Sequence, residues 1–420
     1  MTGAGAGAER TVDVLVVGAG PAGLAAAERL AVLGAGRVEV LEREPAAGGA
    51  PRHRHRTGPG PVDAPRRAEA AVRAGAALRT GVTATGWAGP LTLDTTGPGG
   101  LERITARAVV LATGARERPR TARLVPGTRP AGVLTAGGLQ RAVHLYGQRI
   151  GGRAVVVGAG QVARHAVRTL RSAGTGVVAL VAERPCHGPW PAAAGVPVLD
   201  RTMVTELLGR GRLSGVRVRH ADGRTGVLAC DTVVFTGDWI PDHELARYGG
   251  VVIDPGTRGP AVDAAFRTSQ PGVFAVGNLL RGVESAGRAA AEGRAVAGPV
   301  LERLAGAAWP GARPVVTVGG PLRWVTPNLL DTGAGVGASG CGMPRWRGRG
   351  ALLVRPVERL VRPVLVVRQD GRELYRSRVW RTAGPDRSVA LPGPGAWAVP
   401  GAWAGGGVDP AGGPVRITVG

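Results

Sequence analysis

The sequence contains no lysine, so all 53 of its Lys and Arg residues are arginines, and against 30 acidic residues they give a formal net charge of +23. Glycine (71 residues) and proline (33 residues) are abundant, a composition typical of GC-rich codon usage that replaces Lys with Arg. The arginines are spread along the whole chain and form no basic tail or stripe. This distribution argues against a selected phosphate-binding surface, so we do not expect nucleic-acid binding.

Cysteine is also scarce: only Cys186, Cys230 and Cys341 occur, far apart and without a CxxC motif. This excludes a CxxC redox disulphide and leaves no framework for an iron–sulfur cluster or a cysteine-rich zinc site. A sparse, odd cysteine count is typical of a reducing cytoplasm. No apolar run is long enough to span a bilayer, and the N-terminus lacks the features of a signal peptide. We therefore expect a soluble cytoplasmic protein.

The stretch from Thr11 to Glu42 combines an apolar strand, the glycine-rich turn GAGPAG, an Ala/Leu-rich helix, a second strand and a terminal acid. In this arrangement Gly18 permits a tight turn, Gly20 lets the backbone approach a pyrophosphate, and Gly23 lets the helix lie close to the strand. The helix N-terminus favours phosphate, and Glu42 can accept hydrogen bonds from ribose hydroxyls. The alternative is a turn that is glycine-rich by chance. The strand, helix and acid in register favour dinucleotide binding.

The same order returns in the middle of the chain, with the turn GAGQVA beginning at Gly158. Gly160 corresponds to the second glycine of the motif, and Ala163 replaces the third, a change that the motif tolerates. The strand after the helix ends at Glu183, which favours a free 2′-hydroxyl and hence NAD over NADP. The neighbouring Arg184 makes that preference modest. Two such patterns in one chain are much more specific than one.

Each pattern is followed by a β-meander, an apolar strand and a Thr-Gly pair, so the chain repeats one architecture. We predict an α/β protein with two interleaved Rossmann-like dinucleotide-binding domains and a small β-rich C-terminal appendage. Five of the nine tryptophans lie beyond residue 312, and we expect them to form the core and docking surface of that appendage. The predicted ranges are 11–150 for the first part of the first domain, 151–245 for the second domain, 246–308 for the rest of the first domain, and 309–420 for the β-rich region.

Two further predictions concern elements beside the first pattern. The texture of the sequence predicts separate strands over Leu101–Ala106 and Arg107–Ala112, the second of which runs into Thr113-Gly114. A last apolar strand over Val273–Val276 closes on Gly-Asn, and one long helix of small residues is predicted over Gly282–Leu304.

Taken together, these motifs resemble the pyridine nucleotide-disulphide oxidoreductase superfamily, which has the glutathione-reductase-like fold. The resemblance rests on GAGPAG with Glu42, ATGA at 112–115, GAGQVA with Glu183, and GVFAVGN at 272–278. Within the superfamily, the segments GGAPRH, ATGARERPR and GVFAVGNLLRGVESAG are similar to the branch of sarcosine oxidase α subunits and opine or amino-acid dehydrogenase subunits. The missing cysteine pair sets disulphide reduction aside.

The resemblance implies FAD at the first pattern and the Gly-Asn segment, with NAD(P) at the second pattern. A helix beginning near residues 283–285 would direct its N–H groups at the flavin. The residues implied at the FAD site are Gly18, Gly20, Pro21, Ala22, Gly23, Glu42, Arg43, Gly49, Thr113, Gly114, Gly277, Asn278 and Ser285. Those implied at the NAD(P) site are Gly158, Gly160, Ala163 and Glu183. Two positions depart from the family pattern: Asn278 stands where Asp is usual, and His165 where Glu is common.

The segment GGAPRHRHR holds the candidate catalytic residues Arg52, His53 and His55. A histidine here could move a proton, and Arg52 could bind a carboxylate or phosphate. The alternative is a solvated basic loop. No HxxxH or HExxH motif is present, so we expect no metal site.

The sequence thus predicts an FAD-dependent oxidoreductase that transfers hydride through the flavin, involves NAD(P), and acts on a small amine or hydroxy acid. One alternative is a non-catalytic or electron-relay subunit of a hetero-oligomeric flavin dehydrogenase, in which a second subunit would be its partner. Another alternative, a basic flavoprotein that also binds nucleic acid, rests on net charge alone.

Overall fold

A computed structural model describes residues 8–53, 64–185, 195–282, 284–330, 351–379, 382–385, 388–394, 397 and 408–420. These residues form two compact units. The first unit draws on the ranges 1–51, 60–115 and 241–420, and the second draws on 52–59 and 116–240. Most of the second unit is therefore one continuous segment inserted into the first.

In chain order, the strands up to residue 111 are β1 (Ala8–Val17), β2 (Val38–Glu42), β3 (Ala77–Thr80), β4 (Thr83–Gly89), β5 (Thr92–Gly97) and β6 (Gly100–Leu111). From residue 115 to 241 they are β7 (Ala115–Glu117), β8 (Val133–Thr135), β9 (Arg153–Val157), β10 (Gly176–Val181), β11 (Val198–Leu199), β12 (Thr202–Leu208), β13 (Gly215–His220), β14 (Thr225–Ala229), β15 (Thr232–Phe235) and β16 (Trp239–Pro241). The remaining strands are β17 (Val273–Ala275), β18 (Val316–Val318), β19 (Leu322–Thr326), β20 (Ala351–Pro356), β21 (Val364–Gln369), β22 (Arg372–Arg378), β23 (Val389–Pro392) and β24 (Val415–Val419).

The helices of the described residues are short. They are α1 (Pro21–Val32), α2 (Ala64–Arg73), α3 (Ala136–His144), α4 (Gln161–Ser172), α5 (Glu244–Tyr248), α6 (Ala286–Ala295) and α7 (Ala297–Leu304). None of them is long and apolar enough to cross a membrane.

The first unit is built on a sheet of strand order β3-β2-β1-β6-β5-β4, with β17 also paired to β6. The pairs that involve β1, β2, β3 and β17 are parallel, whereas β4, β5 and β6 form an antiparallel meander. In β1, the side chains of Val14, Leu15 and Val16 are fully buried. The near-continuous apolar run of β1 is explained by helices that cover both faces of this parallel region.

Strand β6 is a single strand of 12 residues, so the prediction of two strands over Leu101–Ala106 and Arg107–Ala112 is wrong. The N-terminal half of β6 pairs antiparallel with β5, and its C-terminal end pairs parallel with β17. The sequence changes texture where the pairing partner changes, while the backbone continues without a break.

The predicted helix over Gly282–Leu304 is also divided. Helix α6 begins after Ser285, whose Oγ accepts a hydrogen bond from the Arg288 N–H at 3.2 Å. A break at Val296 separates α6 from α7. Pro299 lies in the first turn of α7, where a missing N–H is tolerated, but it would break the hydrogen-bond ladder of a continuous helix. The prediction of one uninterrupted helix is therefore wrong.

The second unit contains a parallel sheet of order β11-β10-β9-β15-β8 and an antiparallel sheet of order β12-β13-β14. The edge strand Val133–Thr135 and helix α3 belong to this unit, whereas the predicted boundary at residue 150 assigns them to the first domain. A three-residue edge strand is too short to show the alternation by which strands are recognised.

The region after residue 309 lies in the first unit and forms its own pair of sheets, β18-β24-β21-β22 and β19-β20-β23. These sheets enclose a separate apolar cluster that includes Val367, Ile417 and Trp397. The indole of Trp397 is 1% exposed, and its Nε1 donates a hydrogen bond to the Pro392 carbonyl at 2.7 Å. Trp397 thus serves the core of the β-rich region.

Candidate functional site

The first glycine-rich turn is held by close contacts that only glycine permits. Gly18 has φ = +106°, and a Cβ there would lie 2.5 Å from the Ala112 carbonyl oxygen. A Cβ on Gly23 would lie 1.9 Å from the Gly18 carbonyl oxygen, so α1 lies directly against the turn. Gly20 differs, because a Cβ at this position would meet nothing within 4 Å. Gly20 is also the N-cap of α1 and supplies no side-chain cap. An open face at an uncapped helix N-terminus fits a pyrophosphate.

Glu42 is directed back towards this turn. Its carboxylate is 7% exposed; Oε2 accepts from the Ala19 N–H at 2.9 Å, and Oε1 accepts from the Glu44 N–H at 2.9 Å. The next loop passes over the turn, since the Gly48 N–H donates to the Ala19 carbonyl at 2.7 Å. Gly49 has φ = +61°, and a Cβ there would lie 3.0 Å from the Gly20 Cα. Glu42 therefore orders the turn as well as lying at the expected ribose position.

Arg43, Thr113 and Gly114 converge on Asp242, a residue that sequence reasoning missed. Arg43 Nη1 lies 3.0 Å from Asp242 Oδ2, and Thr113 Oγ1 donates to the Asp242 carbonyl at 2.7 Å. The Asp242 N–H donates to the Gly114 carbonyl at 2.9 Å. Three predicted cofactor-binding positions are thus linked by one acid more than a hundred residues further along the chain. No local motif marks Asp242.

The Gly-Asn segment is anchored by a buried ion pair. The Gly277 N–H donates to Glu292 Oε2 at 3.0 Å, and the other oxygen of Glu292 binds the Arg281 guanidinium. The side chains of Arg281 and Glu292 are 0% and 2% exposed. A Cβ on Gly277, where φ is +74°, would lie 2.7 Å from the Ala22 Cβ. Gly277 therefore lies against the start of α1, beside the first turn.

Asn278 and Ser285 have structural partners that the motif does not indicate. Asn278 Oδ1 accepts from the Glu284 N–H at 2.9 Å, and its Nδ2 lies 3.4 Å from the Glu284 carbonyl oxygen. Ser285 caps α6. The Glu284 carboxylate in turn binds Arg355 of the β-rich region, with Oε1 2.8 Å from Nη2. Both polar side chains therefore hold the approach to α6, whatever they contribute to a cofactor.

The candidate catalytic residues are only partly described. Arg52 lies in a short 3₁₀ turn, Ala50–His53, and it falls in the second unit. The side chain of His53 and all of His55 lie outside the described residues. The structure therefore leaves the proton-transfer hypothesis as a prediction.

The cysteines offer little redox chemistry. Cys186 and Cys341 lie outside the described residues, and Cys230 is a buried free thiol. Burial raises the pKa of the Cys230 thiol to about 11, so it stays protonated at neutral pH. Across the described parts of the chain, no three His, Cys, Asp or Glu side chains are grouped to hold a metal ion.

The second glycine-rich turn repeats the backbone of the first with different surroundings. Gly158 has φ = +116°, and a Cβ there would lie 2.2 Å from the Thr236 Oγ1. That hydroxyl donates to the Val157 carbonyl at 2.7 Å. Ala163 is fully buried in α4, and Glu183 at the end of β10 is exposed. The four predicted NAD(P) positions thus share one edge of the β11-β10-β9-β15-β8 sheet.

Arg123 lies at the same edge, and no motif in the sequence marks it. Its guanidinium stands 5.4 Å from the centre of the Phe235 ring, and Nη2 donates to the Gly237 carbonyl. Burial lowers the pKa of Arg123, while the carboxylates of Asp238, Glu117 and Glu183 act in the opposite direction. A half-buried cation at the carboxyl end of the strands suits an anionic ligand.

Two glycine-rich strand–turn–helix units, each in the parallel sheet of its own compact unit, define an α/β protein with two dinucleotide-binding domains. The family model described as pyridine nucleotide-disulphide oxidoreductase matches residues 12–293, and the chain belongs to this family. The match confirms the family and fold class predicted from the motifs.

The chain is similar in sequence to subunits of two oxidases. It is 32% identical to the alpha subunit of the sarcosine oxidase of Corynebacterium sp. (strain P-1), over 76% of this chain and 35% of that protein. It is 38% identical to an opine oxidase subunit of Agrobacterium tumefaciens (strain Ach5), over 35% of this chain and 32% of that protein. The matches thus span about a third of the length of these relatives.

Solved structures share the fold. The thioredoxin reductase of T. acidophilum aligns with a TM-score of 0.56 at 24% identity, covering 70% of this chain and 98% of that one. The L-proline dehydrogenase of P. horikoshii aligns with a TM-score of 0.52 at 18% identity, covering 72% of this chain and 57% of that one. The family and these neighbours support an oxidoreductase in general.

Proposed function

We propose that the chain is an FAD-dependent oxidoreductase that holds FAD in its first unit and NAD(P) in its second, and acts on a small amine or hydroxy acid. The observation that carries the proposal is the open face of Gly20 at the uncapped N-terminus of α1, between two glycines whose positions are sterically fixed. Family membership supports it. FAD, when bound, supplies a flavin that accepts or donates hydride.

The residues of the first unit would bind and orient the cofactor. Gly18, Gly20 and Gly23 admit its pyrophosphate to the helix N-terminus, joined there by Pro21 and Ala22. Glu42 keeps lone pairs for ribose hydroxyls while its backbone partners fix its position. The links from Arg43, Thr113 and Gly114 to Asp242 hold the far side of the site.

The test is FAD content, followed by anaerobic titration with NADH, NADPH and a panel of amines and hydroxy acids. Gly20→Ala should fold normally, because its Cβ meets nothing within 4 Å, yet it should weaken FAD binding at least about tenfold by filling the pyrophosphate space. Gly86→Ala in β4 is the matched control, since its Cβ is equally unobstructed. A purified protein that is colourless and takes up no added FAD would contradict the proposal.

For proton transfer we propose His53 or His55, with Arg52 binding the substrate anion. The basis is the position of GGAPRHRHR just after the first dinucleotide pattern. In the same titration, loss of less than half of the flavin reduction rate in both His53→Ala and His55→Ala would remove this assignment.

A second candidate function is a nucleotide-binding or electron-relay subunit of a larger flavin dehydrogenase. The observation that favours it is that the relatives found are named as subunits, of which this chain spans about a third. Adenine-nucleotide binding without turnover, with activity restored by a co-purified partner chain, would support this function over the first. The sparse cysteines support a cytoplasmic location for either function.

A further inference from the structure

A groove of about 460 Å³ opens beside Glu183 in the second unit. Its lining includes Glu183, Arg201, Thr202, Met203, Arg219 and His220. The groove is tied to the end of β10 by backbone hydrogen bonds. The Thr202 N–H donates to the Ala182 carbonyl at 2.9 Å, and the Ala182 N–H donates to the Leu199 carbonyl at 2.9 Å. The start of β12 therefore lies beside the acid that ends the second dinucleotide pattern.

Two exposed guanidinium groups face this groove without a carboxylate partner. Neither Arg201 nor Arg219 forms an ion pair with any acid in the described parts of the chain, and Arg219 Nη2 has only the Met203 sulfur at 3.6 Å. Nearby arginines on the same sheet are paired. Arg217 Nε lies 2.9 Å from Glu206 Oε2, and Arg224 Nε lies 2.6 Å from Asp222 Oδ2. The unpaired cations are thus the two that line the groove.

The backbone of Arg201 gives a second reason to treat it as functional. Its φ is +46°, in the left-handed region that side chains other than those of glycine and asparagine rarely adopt. Such conformations cost about 1–3 kcal/mol and cluster at ligand sites. The turn between β11 and β12 presents an arginine at a position where glycine would be easier to accommodate.

We propose that Arg201 and Arg219 bind the 2′-phosphate of NADP(H), so that the second site accepts NADPH despite Glu183. This inference rests on the proposed function of that site. The ribose of a dinucleotide lies at the acid that ends the second strand, and a nearby arginine is what accommodates a 2′-phosphate. Guanidinium groups suit phosphate because they donate in a planar fork. Two cations outweigh the single carboxylate of Glu183, which would otherwise favour a free 2′-hydroxyl.

The test measures binding of NADPH, NADH, 2′,5′-ADP and 5′-AMP to the full chain by calorimetry. Arg201→Gly removes the guanidinium and relieves the left-handed strain, and Arg219→Ala removes the other cation from an exposed strand position. Each should weaken NADPH and 2′,5′-ADP about tenfold and change NADH and 5′-AMP less than about threefold. Arg217→Ala, on the same face of β13 but paired with Glu206, should change none of them.

Tight NADH binding with no binding of NADPH or 2′,5′-ADP would overturn the inference and leave the proposed function standing. So would equal losses for phosphorylated and unphosphorylated ligands in the arginine variants. Failure of all four ligands to bind, in a protein that holds FAD, would overturn both the inference and the proposed role of the second unit. A selective loss of the 2′-phosphorylated ligands alone supports the inference.

Discussion

The two glycine-rich turns of this chain have nearly the same backbone and very different surroundings. Their N-cap glycines, Gly20 and Gly160, have φ/ψ of −79°/−176° and −80°/−172°. Gly18 is crowded by a backbone carbonyl of the neighbouring strand, whereas Gly158 is crowded by the side-chain hydroxyl of Thr236. The turn itself is therefore set by local sequence, and its tightness is set by what the rest of the unit packs against it.

The helices that follow the turns differ in the same way. Helix α1 is enclosed, because a Cβ on Gly293 of α6 would lie 2.0 Å from the Ala22 carbonyl oxygen of α1. Helix α4 is amphipathic, with buried residues such as Ala166 and Leu170 on one face and arginines on the other. A third glycine is required where the helix is pressed onto the turn from both sides. Where one face is open, as at Ala163, a methyl group fits.

The acids at the ends of the second strands complete the contrast. Glu42 is buried, and both its oxygens accept backbone N–H groups. Glu183 is exposed and lines a groove with Arg201. The first acid thus stabilises its own turn before any ligand arrives, whereas the second is available to discriminate between ligands. The first site is the more preorganised of the two.

The largest expected effect comes from exchanging the small residues at the third position of each turn. Gly23→Ala would place a Cβ 1.9 Å from the Gly18 carbonyl oxygen, which must force α1 away from the turn. We expect a loss of about 3 kcal/mol in the free energy of unfolding, with loss of FAD. Denaturant unfolding and FAD retention measure both effects.

Ala163→Gly is the matched change in the second turn. It should cost only about 1 kcal/mol, the usual difference between alanine and glycine within a helix. Equal costs for Gly23→Ala and Ala163→Gly would show that the two helices are equally confined, which would remove the contrast in their packing.

The two acids allow a comparison of intermediate size. Glu42→Gln replaces a charged acceptor of two backbone N–H groups by an amide that can accept only one well, so we expect a loss of about 1.5–3 kcal/mol. Glu183→Gln at an exposed position should change the free energy of unfolding by less than about 0.5 kcal/mol. Thermal unfolding of both variants checks the difference. A similar loss in Glu183→Gln would indicate a structural role that its exposure does not suggest.

The parts of the site that sequence alone predicts are those fixed within about thirty residues of chain. The turns at Gly18 and Gly158, their helices and the terminal acids Glu42 and Glu183 follow from spacing, because a strand–turn–helix unit closes on itself. The family and the α/β fold class can be predicted for the same reason. The C-terminal region is predicted as β-rich from its turn signals, and the strands from β18 to β24 bear this out.

The contacts that complete the site could not be predicted, since they join distant parts of the chain. Asp242 meets Arg43 and Thr113, and Glu292 reaches back to Gly277 across a buried ion pair with Arg281. No periodicity indicates which residues a fold will bring together. The break at Val296 is different, because Pro299 is visible in the sequence and its missing N–H predicts the end of a helical ladder.

The smallest expected effect concerns Glu117 in the second unit, a buried acid that contrasts with Glu42. Its Oε2 accepts from the Gly137 N–H at 2.6 Å, while its buried Oε1 has no hydrogen-bond partner. Burial raises the pKa of the Glu117 carboxyl above its ordinary value of 4.5, against the lowering effect of the Gly137 N–H. The stability that this group contributes is thus fully present below pH 4.5 and is lost as the pH rises through the folded-state pKa.

Glu117→Gln removes the charge and keeps an acceptor for Gly137, so it should be more stable than the parent at neutral pH, by up to about 1 kcal/mol. The advantage should vanish below pH 4.5, where the parent is also neutral. Parallel unfolding of both proteins from about pH 4 to about pH 8 isolates this group, because every other titration is common to both. An advantage that grows towards acid pH would mean that Glu117 is stabilised as a carboxylate, like Glu42, and would remove this contrast between the two units.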